Sequence, residues 1–88
     1  MHNILGDYMR INTPSDKNNI IGERLKTYRK QNKITQEDLS ARLQLRGFTL
    51  DRTAISKIER GERFVPDYEV VAIAKSLKVD VKWLLTGK

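Results

Sequence analysis

The segment Arg52–Arg60, RTAISKIER, carries the residue types best suited to binding chemistry in this 88-residue chain. Folded as a helix, it turns one broad face of hydrogen-bonding side chains outward, formed by Arg52, Thr53, Ser56 and Lys57. An arginine suits the two acceptors of guanine, a threonine can meet the methyl group of thymine, and a lysine reaches guanine or a phosphate. The face therefore has the composition of a helix that lies in the major groove of DNA.

Two short helices joined by a connection would position this face. Thr35 is placed as the N-cap of the first helix, and Asp38 completes a capping box with it. Asp51 begins the second helix in the same way. Gly61 ends it, because a glycine readily takes the left-handed conformation that follows a helix. The inward stripe of the second helix consists of Ala54, Ile55 and Ile58.

Three segments of the chain resemble the helix-turn-helix domains of the lambda-repressor/Cro type, called the XRE family. They are IGERLKTYRKQNKITQEDLSARL (Ile21–Leu43), TAISKIERGER (Thr53–Arg63) and VDVKWLLTG (Val79–Gly87). They occur in the family order and at near-family spacing, and the stretch they span is roughly three quarters of the chain. The resemblance implies an all-α fold, a compact five-helix lambda-repressor-like DNA-binding domain.

The connection between the two helices is longer than usual for this family. By comparison with the family pattern, Gln44–Ala54 contains about five extra residues. Either the first helix of the pair continues to Gly47, or Gln44–Leu50 forms an ordered loop. Phe48 and Leu50 favour the ordered loop, because a solvated insertion is more often polar.

The resemblance implies roles for individual side chains. The DNA bases would be contacted by Arg52, Thr53, Ser56 and Lys57. The DNA phosphates would be contacted by Thr35, Gln36, Arg60 and Arg63, with Arg46 in the longer connection as a further candidate. The alternative for each of these residues is a solvated surface position without a partner.

Two further groups of residues have structural interpretations. Arg29 and Glu59 match positions that pair in the family, which implies a partly buried ion pair between the first helix of the domain and the second helix of the motif. Trp83, Leu84 and Leu85 either close the core or face a second subunit. We expect a homodimer, because pairing on an inverted repeat adds specificity where each correct base pair is worth only roughly 1–3 kcal/mol.

Composition agrees with a nucleic-acid partner. Lys and Arg outnumber Asp and Glu by 17 to 11, which gives a net charge of +6. The absence of cysteine is compatible with the reducing cytoplasm, the expected location. No apolar run approaches the ~20 residues of a membrane span, and we recognise no secretory signal. The only histidine, His2, has no ligating neighbours, so we expect no metal, no cofactor and no enzymatic activity.

The chain divides into a flexible tail over residues 1–19 and one DNA-binding domain over residues 20–88. The tail is polar and aperiodic. Two alternatives for it are an arm that reaches DNA or a partner subunit, and a biological start at Met9. Within the domain, helix 1 is predicted over about Ile20–Asn32, helix 4 begins at Asp67, and a short helix 5 follows Val79.

The sequence as a whole favours a sequence-specific, double-stranded-DNA-binding transcriptional regulator, a repressor that acts as a dimer on an inverted repeat. One alternative is an antitoxin-like or adaptor protein whose main partner is another protein. The other is a non-specific DNA binder, which would bind every duplex alike with a steep salt dependence.

Overall fold

The computed structural model describes residues 16–88, and this part of the chain contains five α-helices and no strand. The helices are α1 (Gly22–Gln31), α2 (Gln36–Leu45), α3 (Arg52–Glu59), α4 (Asp67–Leu77) and α5 (Val81–Thr86). The predicted all-α, five-helix architecture is confirmed. Helices α2 and α3 are the predicted pair.

Side-chain caps fix where α2, α3 and α5 begin, because they satisfy backbone N–H groups that have no partner inside the helix. The Thr35 hydroxyl accepts from the Asp38 N–H at 2.9 Å, and the Asp38 carboxylate accepts from the Thr35 N–H at 3.0 Å. This is the predicted capping box. Asp51 accepts from the Ala54 N–H at 2.8 Å, and Asp80 caps α5 similarly.

The first four helices end in the same hydrogen-bonded turn, the Schellman motif. In each turn a backbone N–H donates to the carbonyl five residues earlier, as Phe48 does to Leu43 at 3.0 Å. The residues that reverse the chain with positive φ are Lys33, Gly47, Gly61 and Lys78. Glycine takes this conformation without strain, whereas a lysine is strained there.

One hydrophobic cluster joins all five helices. Its fully buried side chains are Ile21, Leu25, Leu39, Leu43, Ile55, Ile58, Ile73 and Leu84. Each of them stabilises the fold by about 1.5–3 kcal/mol through burial alone. Since Leu39 and Leu43 of α2 share this cluster with Ile55 and Ile58 of α3, the core fixes the angle between the two helices of the motif.

The connection between α2 and α3 is ordered. Helix α2 continues to Leu45, and Gly47, at φ +88°, reverses the chain. Leu50 is buried, and Phe48 packs against the core and stacks on Tyr68 with ring centroids 6.3 Å apart. Both sequence interpretations hold in part: the helix extends by two residues beyond Leu43, and the rest of the connection is an apolar-anchored loop.

Helix α1 crosses α3 at close range. A Cβ atom built on Gly22 would lie 2.3 Å from the Ile58 carbonyl oxygen, so only glycine fits there. Asn19 bridges the same junction. Its side-chain oxygen accepts from the Gly22 N–H at 2.9 Å, and its amide nitrogen donates to the carbonyls of Ile58 at 3.0 Å and Arg63 at 2.9 Å.

The residues just before α1 are attached to the domain. We expected residues 1–19 to form a flexible tail, yet Lys17 Nζ donates to the Arg60 carbonyl at 3.0 Å. The Asn18 N–H donates to the Gly61 carbonyl at 2.7 Å. These bonds extend the ordered domain back to Lys17. The remainder of the expected tail, Met1–Ser15, lies outside the described residues.

Candidate nucleic-acid interface

Helix α3 turns the predicted base-contacting face to solvent. Arg52, Thr53 and Lys57 are exposed and Ser56 is half-buried. On the opposite side of the helix, Ile55 and Ile58 are fully buried. Because α3 cannot roll about its axis without exposing these two side chains, the core holds the face in one orientation.

A carboxylate from α2 stands beside the start of this face. Glu37 Oε2 lies 3.5 Å from Arg52 Nε, and the two side chains are 65% and 71% exposed. An ion pair this exposed is worth little in stability. Its effect is on position, because Glu37 draws the Arg52 guanidinium towards α2 and places one negative charge next to a face of cations.

A buried polar network supports the face from behind. Arg29 Nε donates to Glu59 Oε2 at 2.7 Å and Arg29 Nη2 donates to Glu59 Oε1 at 3.0 Å. A third nitrogen of Arg29 donates to the Ile34 carbonyl at 2.9 Å. The hydrogen bond with Glu59 raises the pKa of Arg29. Since Arg29 and Glu59 are only 7% and 6% exposed, the pair is a buried tie between α1 and α3.

Gln36 joins that network to the start of α2. Its side-chain amide donates to Glu59 Oε1 at 3.0 Å, so one amide hydrogen is already used inside the protein. The other amide hydrogen and the free N–H groups of the first turn are donors of the kind that bind phosphate at a helix start. Glu37 and Asp38 in the same turn oppose an anion.

Thr35, the other predicted phosphate contact on α2, is the N-cap. Its hydroxyl accepts from the Asp38 N–H, and its N–H donates to the Asp38 carboxylate. The Thr35 N–H, as the largest cause, and the Thr35 side chain lower the pKa of Asp38 below its usual 3.8. The exposed Thr35 hydroxyl can still donate its hydrogen to a phosphate.

Arg60 is held by neighbours that the sequence did not reveal. Its Nε lies 2.7 Å from Glu62 Oε2, and a second nitrogen donates to the Ser56 hydroxyl. The hydrogen bond with Glu62 raises the pKa of Arg60, and the same bond lowers the pKa of Glu62. Both side chains are about half exposed, so Arg60 can exchange Glu62 for a phosphate without unburying the core.

Arg63 is more firmly engaged than Arg60. Its Nη1 lies 2.6 Å from Glu69 Oε1 on α4, where the two side chains are 31% and 11% exposed. The hydrogen bond with Glu69 raises the pKa of Arg63. Arg63 therefore braces the connection after α3 against α4, and a phosphate would have to approach its remaining exposed edge.

Arg46 stands apart from the other predicted DNA contacts. One of its guanidinium nitrogens lies 3.4 Å from the Lys75 carbonyl at the end of α4. Three residues of α2 lie on the side that faces α3 and the connection before it: Gln36, Glu37 and Ser40. Arg42 and Arg46 lie on the flank of α2 that faces α4. The structure does not bring Arg46 to the α3 face.

The C-terminal cluster splits between core and surface. Leu84 is fully buried, and Trp83 is half-buried with its ring edge-on to Tyr28, centroids 5.5 Å apart. Leu85 is 36% exposed. Leu84 closes the core, while Leu85 and the exposed part of the half-buried Trp83 are accessible at the surface.

Three residues that shape this interface were missed by sequence reasoning. Glu37 was left as a position for solvent or a partner with no specific role, Asn19 was placed in the tail, and Glu62 was given no role. Asn19 carried a detectable signal, because asparagine side chains often accept hydrogen bonds from backbone N–H groups two or three residues further along the chain. The other two depend on contacts that only the folded chain creates.

Residues 16–88 also bear on metal binding and on membrane insertion. No group of three or more His, Asp or Glu side chains there is placed to hold a metal ion. None of the five helices is long and apolar enough to cross a membrane.

Comparison with known proteins identifies the family. A family described as "Helix-turn-helix domain" matches residues 22–88, a stretch that includes all five helices. No curated protein and no solved structure matches the chain. The match agrees with the structure, because α2 and α3 are the two consecutive helices of the helix-turn-helix motif and both lie within the matched residues. The chain therefore belongs to the helix-turn-helix family and is a DNA-binding protein of the XRE type.

Proposed function

We propose that this DNA-binding regulator is a sequence-specific repressor that binds an inverted-repeat operator as a homodimer. The observation that carries the proposal is the outward row of Arg52, Thr53 and Lys57 on a helix whose other side is locked into the core. Sequence-specific readers present such donors to base edges from a rigid helix. The cytoplasm, and the nucleoid when DNA is bound, is the proposed location.

Phosphate contacts would set the register of this helix on the duplex. Gln36 and Thr35 at the start of α2 would hold one side of the groove, and Arg60 and Arg63 after α3 would follow the backbone. To reach a phosphate, the Arg60 guanidinium would give up its ion pair with Glu62. Because Gln36 also donates to Glu59, the same carboxylate that ties α3 to α1, phosphate binding at α2 and base reading by α3 would share one rigid frame.

Repression by occlusion is the simplest mechanism for such a domain. A dimer seated on a promoter blocks polymerase without any separate effector domain. Pairing would also double the number of base pairs read, each of them worth roughly 1–3 kcal/mol. Leu85 and the exposed edge of Trp83 are the candidate contacts between subunits.

Selection from a randomised duplex library at near-physiological salt tests the proposal. The reading variant is Arg52→Ala/Thr53→Ala. The matched control is Lys26→Ala/Thr27→Ala, which removes the same kinds of side chain from an exposed part of α1. The wild type and the control are expected to enrich one inverted repeat, and the reading variant is expected to lose it.

Other outcomes distinguish the alternatives. Enrichment by the reading variant would place base recognition outside α3. Equal binding to all duplexes would identify a non-specific binder, with log Kd changing by about 0.9 per phosphate contact for each unit of log salt. Sedimentation of protein with the enriched duplex gives the stoichiometry. One protein per site would reject the dimer while keeping sequence-specific reading.

A further inference from the structure

A second cationic surface lies on the side of α2 that faces away from α3. It surrounds a groove of about 720 Å³ between the ends of α2 and α4. The groove is lined by Arg42, Leu45, Arg46, Lys75, Ser76 and Lys78, and we call these residues the α2/α4 patch. None of the described residues lining this groove is an aspartate or a glutamate.

Between residues 16 and 88 no carboxylate forms a salt bridge with the charges of the α2/α4 patch, although Asp38, one turn before Arg42 on α2, interacts with that arginine at longer range. Arg42 donates to the Ser76 carbonyl at 3.1 Å and Arg46 to the Lys75 carbonyl at 3.4 Å. These bonds cap the end of α4 but leave both guanidinium groups positively charged. Lys75 and Lys78 add two exposed ammonium groups. Four like charges around one groove repel one another, so an acidic occupant would relieve an existing electrostatic cost.

The α2/α4 patch also contains an exposed apolar side chain. Leu45 stands among the cations with 90% of its surface exposed, so it offers apolar surface that a docked segment can cover.

We propose that the α2/α4 patch is a docking site for an acidic protein segment that carries an apolar side chain. The carboxylates of the segment would meet the four cations, and its apolar residue would cover Leu45. A DNA backbone explains the charge but not the leucine, because phosphates gain nothing from an exposed apolar side chain. In addition, α2 stands between this patch and the α3 face.

The chain does not supply this segment itself. A second copy carries a net charge of +6, which opposes docking onto four cations. The N-terminal residues 1–15 contain one acid, Asp7, and one base, Arg10, so they lack the required charge. Within this proposal the occupant is a different, acidic protein, and its docking would leave α3 free for DNA.

A pair of synthetic peptides tests the site on the full chain. The first is a fluorescein-labelled soluble helix of glutamate and alanine with one central leucine, and the second has alanine in place of that leucine. Binding is followed by fluorescence anisotropy at near-physiological salt. The leucine peptide is expected to bind more tightly than the alanine peptide, with amide shifts that map to the ends of α2 and α4.

Three variants test, in turn, the charges of the α2/α4 patch, the apolar contact at Leu45 and the effect of the overall charge of the protein. Arg46→Glu/Lys78→Glu reverses two charges of the patch and should lower the affinity for the leucine peptide by about tenfold or more. Leu45→Ser should remove the preference for leucine over alanine, and it keeps the test available if the double variant does not fold. Lys26→Glu/Lys30→Glu makes the same charge change on exposed α1 positions and should alter binding by less than about twofold.

Several results would overturn the proposal. They are no binding of the leucine peptide to the wild type, an equal loss in the α1 control, and an unchanged leucine preference in Leu45→Ser. Duplex binding is measured on the same proteins. If Arg46→Glu/Lys78→Glu loses duplex binding but keeps the peptide, the patch contacts DNA instead. Because duplex and peptide are separate readouts, failure of this site leaves the proposed repressor function standing.

Discussion

Arg29 and Glu59 are joined by two hydrogen bonds, 2.7 Å and 3.0 Å long, although thirty residues separate them in the sequence. The same Glu59 carboxylate accepts a third bond from Gln36. One buried carboxylate thus connects the first three helices, and the orientation of α3 on the domain depends on it. Because of this relationship, a substitution at Arg29 or Glu59 is expected to affect both the stability of the fold and the orientation of the α3 face.

Breaking this pair is expected to destabilise the fold strongly. Glu59→Gln and Arg29→Met each leave one buried polar partner uncompensated, which costs roughly 3–5 kcal/mol in the free energy of unfolding. Urea unfolding monitored by circular dichroism measures the change. Glu62→Gln, at the exposed pair with Arg60, is the control and should change stability far less. Equal and small effects in all three variants would contradict a structural role for the buried pair.

Gly22→Ala is expected to separate α1 from α3. The new methyl group would lie 2.3 Å from the Ile58 carbonyl oxygen, so the helices must move apart at a cost of about 1–3 kcal/mol. Thermal melting and duplex affinity should both fall, because α3 moves with the junction. Gly47→Ala is the comparison, since open space surrounds it and its cost comes from its positive φ alone. Unchanged duplex affinity in folded Gly22→Ala would argue that the junction does not position α3.

Lys33→Gly is expected to stabilise the protein. Lys33 ends α1 at φ +56°, a left-handed conformation that strains a side-chain-bearing residue by about 1–2 kcal/mol. Glycine removes that strain, although it also gains freedom in the unfolded chain. Lys30→Gly, three residues earlier inside α1, should instead destabilise by about 1 kcal/mol. A lower melting temperature for Lys33→Gly would show that the lysine side chain contributes contacts that outweigh the strain.

Glu37→Gln is expected to strengthen duplex binding and to change base preference at one position. The substitution removes a negative charge beside the α3 face and releases Arg52 from the contact at 3.5 Å. Removing a repulsion of about 0.5–1 kcal/mol between the Glu37 carboxylate and the DNA phosphates corresponds to a roughly two- to fivefold gain in affinity for the duplex. Glu23→Gln is a matched control, because Glu23 is also an exposed second residue of its helix. Equal gains in both variants would indicate a net-charge effect without a role for Arg52.

Acid is expected to weaken the start of α2. The Thr35 N–H and side chain hold the pKa of Asp38 below its usual 3.8 in the folded protein. A carboxylate of this kind stabilises the fold fully above its unfolded pKa, and the contribution is lost as the pH falls through the lower folded pKa. Asp38→Asn should therefore flatten the decline of unfolding free energy below about pH 4. Parallel pH profiles for the two proteins would rule out this source of acid sensitivity.

Local chemistry made much of the fold predictable. The Thr35 and Asp38 capping box, the Asp51 cap and the Gly61 turn each involve residues within five positions of one another, so they can be predicted from the local sequence. The helical spacing of apolar residues likewise predicted the core stripe of α3. Arg29 with Glu59 was found through family resemblance, since nothing in their spacing pairs them.

Tertiary structure decided which charged side chains are free and which are already engaged. The sequence by itself determined five helices, their caps and a row of DNA-suited donors along α3. It could not show that Arg63 is braced on Glu69 or that Arg46 lies on the far flank of α2. Asn19 likewise joins groups up to 44 residues away. Helices form from neighbours along the chain, whereas side-chain pairing depends on where the packed core finally places each helix.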